Sequence, residues 1–150
     1  MPGPGKTFDE LSLGQVFLGG PRHVSRADIA TFATVSGDHT ALHCDDAYAA
    51  TTPFRGVVAH GVLNLAVATG LAYDTGAFEG TVLAVRSMDV RFDRPVRPGD
   101  ELRLRLKVLE LDQRPKPDRG RVAFDVQLKN QEGRVVLSGR WSLLIRRQSG

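Results

Sequence analysis

Asp38 and His43 stand five residues apart in the stretch Ser36-Gly37-Asp38-His39-Thr40-Ala41-Leu42-His43, and farther along His60-Gly61 opens a long apolar segment. A carboxylate and an imidazole that share a water can hold it and move its proton. Glycine at a helix start offers a backbone N–H that lacks a partner inside the helix and lies at the positive end of its dipole, where a developing oxyanion is stabilised. Glycine also lets a ligand come close to the backbone. These are the parts needed to add water to an activated double bond. Such a bond is electrophilic at its far carbon and gathers negative charge on the activating group as water attacks, a charge that must be stabilised where it develops. Asp38 is expected to be the general base and His43 to orient the water and share the proton transfer, with the exchanged roles left open.

Each of these residues also has a plainer reading. Aspartate after Ser-Gly is a common turn residue that bonds nearby N–H groups. His43 could be a satisfied structural histidine, Gly61 could serve packing, and His60 is expected to hold the turn into the apolar segment. His23 and His39 are expected at the surface. His39 and His43 are four residues apart, which on a helix would suit a metal, yet the segment follows a turn and lacks the glutamate of an H-E-x-x-H pattern; no metal is expected. Cys44, the single cysteine, cannot form an internal disulfide and is expected to be a buried, inert thiol in a reducing compartment.

Two periodicities must position these groups. Ile29, Phe32, Ala33 and Val35 recur at helical spacing between Ser25, a candidate N-cap with Asp28 three residues on, and Gly37, a candidate C-terminal cap. Asp45 to Ala50 adds a further turn or two, closed by Thr51-Thr52-Pro53. Gly61 to Tyr73 is apolar on most sides, the mark of a buried helix. After Gly76 the period becomes two, through Met88–Phe92, Leu102–Val108, Val122–Leu128 and Val135–Ile145, with another candidate strand within Leu11–Val24. The separators Arg97-Pro98-Gly99-Asp100, Arg114 to Gly120 and Asn130-Gln131-Glu132-Gly133 are short and turn-rich, so successive strands are expected to pair antiparallel. The expected class is α+β, an antiparallel sheet wrapped around the Gly61–Tyr73 helix. Both chain ends, Met1 to Lys6 and Arg146 to Gly150, are expected to fray.

At 150 residues, 41% hydrophobic and 25% charged, the chain reads as a single domain over 1–150 with its core at about 8–146. The segment Val57 to Tyr73 is interrupted by His60, Asn64 and several glycines and falls short of the ~20 apolar residues of a membrane span. The start lacks the apolar core of a secretory signal, so a cytoplasmic location is expected. The net charge of +3 invites a nucleic-acid partner. However, Arg103, Arg105 and Lys107 alternate with leucines as the wet face of a strand does, and stacking aromatics are missing, so no nucleic-acid partner is expected.

Several blocks carry a resemblance: Ser36-Gly37-Asp38, Leu42-His43-Cys44-Asp45, Ala47 to Phe54, Val58-Ala59-His60-Gly61-Val62-Leu63, and Phe92-Asp93-Arg94-Pro95-Val96-Arg97-Pro98-Gly99-Asp100. Together they resemble the MaoC-like dehydratases, the (R)-specific enoyl-CoA hydratases, over Phe8 to Arg146. The resemblance implies a hot-dog fold, a homodimer or an assembly of dimers, and thioester substrates on coenzyme A or a similar pantetheine, with no cofactor beyond that carrier. It places the catalytic pair at Asp38 and His43, the thioester-binding N–H at Gly61 and, more loosely, a substrate-side hydroxyl at Thr69. Thr40-Ala41 stands where those proteins usually have Asn-Pro, and alanine does not pre-set φ as proline does.

Three activities fit these residues. The first is (R)-specific hydration of trans-2-enoyl-CoA, or the reverse dehydration. The second is a hot-dog acyl-CoA thioesterase in which Asp38 turns water on the carbonyl, and the third is a non-catalytic acyl-binding or dimerisation module.

Overall fold

The computed structural model describes residues 3–148. Its elements follow the two periodicities. Helix α1 (Arg26–Ser36) starts at Ser25, whose hydroxyl accepts the Asp28 N–H at 3.0 Å while the Asp28 carboxylate accepts the Ser25 N–H at 2.8 Å. This reciprocal pair satisfies two donors that the first helical turn leaves free. The helix ends on Gly37, whose φ of 78° is the left-handed conformation that glycine adopts without strain. Short helices α2 (Ala41–Cys44) and α3 (Asp46–Ala50) follow, then α4 (Gly61–Asp74).

Strands β1 (Val16–His23), β2 (Val82–Phe92), β3 (Glu101–Lys116), β4 (Arg119–Lys129) and β5 (Val135–Arg146) form one antiparallel sheet in the order β1-β3-β4-β5-β2. On its inner face Leu102, Leu104, Leu106, Val108, Val122, Phe124, Val126 and Leu128 are buried at alternate positions. They share one core with Leu63, Val67, Ala68 and Leu71 of α4. Helix and sheet meet closely at Gly19 of β1, where a side chain would run into the Leu71 carbonyl. The result is the hot-dog arrangement of a sheet packed around a helix, in the α+β class. Arg103, Arg105 and Lys107 lie on the outer face, with Arg103 paired to Glu101 at 3.1 Å and Arg105 to Asp125 at 3.7 Å.

Four expectations change. Successive strands pair for β3–β4 and β4–β5, but β2 pairs with β5 while β3 pairs with β1. The segment 93–100 is therefore a crossing connection, with Val96 fully buried and its carbonyl accepting the Ala59 N–H at 2.8 Å. Asp100 accepts the Val24 N–H at 2.9 Å at its far end. Most of the separator Arg114 to Gly120 is strand, because β3 runs on to Lys116 across a break in register. Helix α4 buries only one face: Val62 and Tyr73 are 58% and 40% exposed, since a single sheet covers one side of it. The expected fraying of Met1, Pro2, Ser149 and Gly150 lies outside the described residues. Next to them the chain is tied down, Gly5 and Lys6 donating to the Glu79 and Ala77 carbonyls and Gln148 to Asp9. Among the described residues no helix is long and apolar enough to cross a membrane.

Candidate active site

The end of α1 aims Asp38. Ser36 donates its hydroxyl to the Phe32 carbonyl at 2.7 Å and accepts the Asp38 N–H at 3.0 Å, turning the chain out of the helix. One carboxylate oxygen, Oδ1, then accepts both the Thr40 N–H at 3.1 Å and the Thr40 hydroxyl at 2.6 Å. These two bonds favour the ionised form and lower the Asp38 pKa, helped by His60 and His43 nearby. The plainer turn-residue reading is thus realised by half of the carboxylate. Among the described residues its second oxygen has no hydrogen-bond partner and is free to face a water.

His43 sits on α2 with Nδ1 at 2.7 Å from the Val58 carbonyl. A carbonyl only accepts, which assigns the proton to Nδ1 and leaves the Nε2 lone pair open. His60, the residue before α4, is buried and joins the pair. Its Nε2 lies 2.9 Å from the Asp38 carbonyl, its ring stacks on His43 at 4.0 Å and 27°, and its edge meets Phe32 at 4.9 Å. One donor atom each from Asp38, His43 and His60 falls within 4.8 Å of the others. Donors around a tetrahedral zinc stand about 3.3 Å apart, given bonds of about 2.0 Å. With the three atoms within 4.8 Å of one another, the group can gather round a shared water or, with small shifts, round an ion.

Gly61 is the first residue of α4, and among the described residues no acceptor takes its N–H. It borders a cavity of about 270 Å³ with Phe54, Val58, Ala59, Asn64 and Phe92. A β-carbon at Gly61 would lie 2.8 Å from two atoms of the Phe92 ring, so packing also calls for glycine here. His43 faces a second cavity of about 270 Å³ beside Ala33, Thr34 and His39. The Val58–Ala59–His60 segment links the two regions, Val58 contributing its carbonyl to His43 and His60 its ring to the group around Asp38. Asp38, His43 and His60 are therefore brought together, while Gly61 adjoins them through the chain as the neighbour of His60 and lines the other cavity.

Thr69 is not part of this cluster. It is exposed, and its hydroxyl donates to the Ala66 carbonyl of its own helix at 2.7 Å. His23 and His39 are exposed. Cys44 is exposed rather than buried, because the four-residue α2 turns only one side toward the body of the molecule. Asn64 and Phe92 are wall residues that sequence reasoning missed. Their signals were an amide one turn past Gly61 in an apolar helix, and an aromatic closing β2 before Pro95.

Residues 10–130 match the family described as MaoC like domain. Among known proteins the chain is similar to Protein MaoC of Klebsiella aerogenes, 39% identical over 67% of this chain but only 30% of that protein. It is also similar to an (R)-specific enoyl-CoA hydratase of Aeromonas caviae, 30% identical over 75% of this chain and 80% of that one. Among solved structures, one described as a monoamine oxidase regulatory protein from Archaeoglobus superposes with a TM-score of 0.90 at 33% identity, covering 99% of both chains. A Mycobacterium tuberculosis protein described as a double hot-dog fold superposes with a TM-score of 0.84 at 28% identity, covering 96% of this chain and 45% of that one. With a family match over most of its length, a five-stranded sheet packed on one long helix and the Asp38–His43 pair near that helix's head, the chain belongs to the MaoC-like domain family.

Proposed function

We propose that the chain hydrates trans-2-enoyl-CoA to (R)-3-hydroxyacyl-CoA and catalyses the reverse dehydration. The observation that carries this reading is the junction of Asp38, His43 and His60 beside the unpaired N–H of Gly61. A water between the free Asp38 oxygen and the His43 Nε2 is held by two acceptors and poised to lose a proton. Asp38 takes that proton as hydroxide bonds to C3, and the thioester becomes an enolate whose oxygen rests on the Gly61 N–H. The proton then passes to C2, on the same face, so that addition is syn. Loss of one such oxyanion donor costs about 3–4 kcal/mol in transition-state stabilisation.

The His60 ring fixes the relative placement of the pair through its bond to Asp38 and its stack on His43. The (R) configuration and the coenzyme A carrier rest on the likeness to the Aeromonas caviae hydratase. A homodimer joined at β2 accompanies this reading. Of the two sheet edges, β1 runs eight residues and carries Pro21, whereas β2 runs eleven residues without proline and exposes Leu83 and Val85.

Incubation with crotonyl-CoA tests the proposal. Loss of the conjugated absorbance without release of free thiol supports hydration, thiol release supports a thioesterase, and neither leaves a binding module. Asp38→Asn should cut turnover by about 10²- to 10⁴-fold, the range for a positioned acid–base group, with the fold unchanged because Asp38 is exposed. A folded variant at wild-type turnover would remove Asp38 from the mechanism.

A further inference from the structure

Asn64 lies one helical turn past Gly61 on α4 and lines the same cavity. Its residue is only 3% exposed, and its carboxamide oxygen is buried without a hydrogen-bond partner. The backbone N–H of Asn64 is satisfied separately, by the His60 carbonyl at 3.2 Å. Its wall neighbours Phe54, Val58, Ala59, Phe92 and Pro95 are apolar, while the exposed Asp93 and Arg94 of the same wall are engaged with the Ser138 hydroxyl and the Val135 carbonyl. An unpaired amide sealed into such a wall is costly, whereas leucine at this position would continue the apolar face of α4 at no such cost. A cavity meant for a plain alkyl tail has no use for it.

We infer that the Asn64 carboxamide determines specificity by accepting a hydrogen bond from an O–H or N–H donor on the thioester held at Gly61. This rests on the hydratase reading above. Three residues of α-helix advance about 4.5 Å. With the substrate carbonyl oxygen at the Gly61 N–H, a donor at that distance is one several bonds from the thioester carbon. Two groups of an acyl pantetheine thioester satisfy this, each four bonds from that carbon: a hydroxyl on C4 of the acyl chain, and the first amide N–H of the pantetheine arm. A site built around a buried hydrogen-bonding group discriminates strongly against ligands that lack the partner, because the protein group is then left unpaired.

The test is Asn64→Leu, assayed for hydration of crotonyl-CoA, 4-hydroxycrotonyl-CoA, the crotonyl thioester of N-acetylcysteamine and the amide-free S-butyl crotonyl thioester. If the donor is the acyl hydroxyl, kcat/KM falls about tenfold on 4-hydroxycrotonyl-CoA alone. If it is the arm amide, the same loss appears on the three amide-bearing thioesters and spares the S-butyl ester. Because the substitution removes an unpaired buried group, Tm holds or rises. Unchanged kcat/KM throughout, an equal loss on all four esters, or a fall in Tm overturns the contact. Wild-type turnover with an indifferent Asn64→Leu sinks this inference alone, whereas a wild type inert on every thioester sinks the hydratase reading and the contact with it.

Discussion

Replacing Gly61 by alanine separates the two duties that the structure gives this residue. The added methyl carbon would stand 2.8 Å from Cδ1 and Cε1 of Phe92 and 3.2 Å from its Cγ. Carbon atoms are at their optimum near 3.5–4.0 Å, so the overlap is about 0.7 Å. Phe92 is 55% exposed, and its ring can swing outward. The cost therefore falls at the low end of the ~1–3 kcal/mol of an overpacked site, a drop in Tm of about 2–4 °C for a chain of this size. Turnover should suffer far more. Losing one oxyanion donor typically costs about 10²- to 10³-fold in kcat, and the methyl group bars the close approach that brings the thioester oxygen to the N–H. Crotonyl-CoA hydration followed by absorbance, alongside thermal unfolding, measures both effects. The second variant, Gly61→Ala with Phe92→Ala, removes the clash: Tm should recover and turnover should stay low. Recovery of turnover in the double variant, or wild-type turnover in Gly61→Ala alone, would reduce Gly61 to a packing residue.

Thr40→Val keeps the N–H bond to Asp38 but removes the hydroxyl bond, the largest cause of the lowered Asp38 pKa. A base works only above its own pKa, so the acid limb of kcat/KM should move to higher pH in this variant; an unmoved limb means that another group controls it. Sedimentation should give a dimer, and Val85→Lys on the β2 edge should shift it toward monomer. A wild-type monomer at assay concentration refutes the edge-to-edge pairing.

Helices α1, α3 and α4 were legible because their signals are local, whereas the four-residue α2 that carries His43 was not foreseen. Ser25 with Asp28 and Gly37 bracket α1 through bonds spanning three or four residues, and each takes the expected role. The alternation in β3, β4 and β5 likewise predicts which leucines and valines face the core. Strand order was not legible, since turn-rich separators show where the chain bends but not which partner a strand meets. The segment 93–100 bends as foreseen at Pro98-Gly99, yet Val96 is buried against the start of α4 and carries the chain from β2 past two strands to β3. The site divides in the same way. Asp38, His43 and Gly61 announce themselves by residue type and spacing. By contrast, His60 becomes the bridge only through contacts across 22 and 17 residues of chain. Nothing in a linear pattern distinguishes such a histidine from one that merely holds a turn.

Thr40-Ala41 shows how a departure from a familiar motif can be absorbed. Where related proteins usually have Asn-Pro, the backbone still takes the path that proline would favour: Thr40 is extended at φ −51° and ψ 133°, and Ala41 opens α2 as its first residue. That first helical position suits proline because its N–H lacks a helical partner in any case, so alanine forfeits no hydrogen bond there. What proline would supply is rigidity, and here the neighbouring threonine supplies it by clamping the Asp38 carboxylate with both its N–H and its hydroxyl. The clamp constrains the loop through the candidate base itself. Loop geometry and the acidity of Asp38 are thereby set by one residue, so a change at Thr40 should alter the pH dependence of the reaction before it alters the fold.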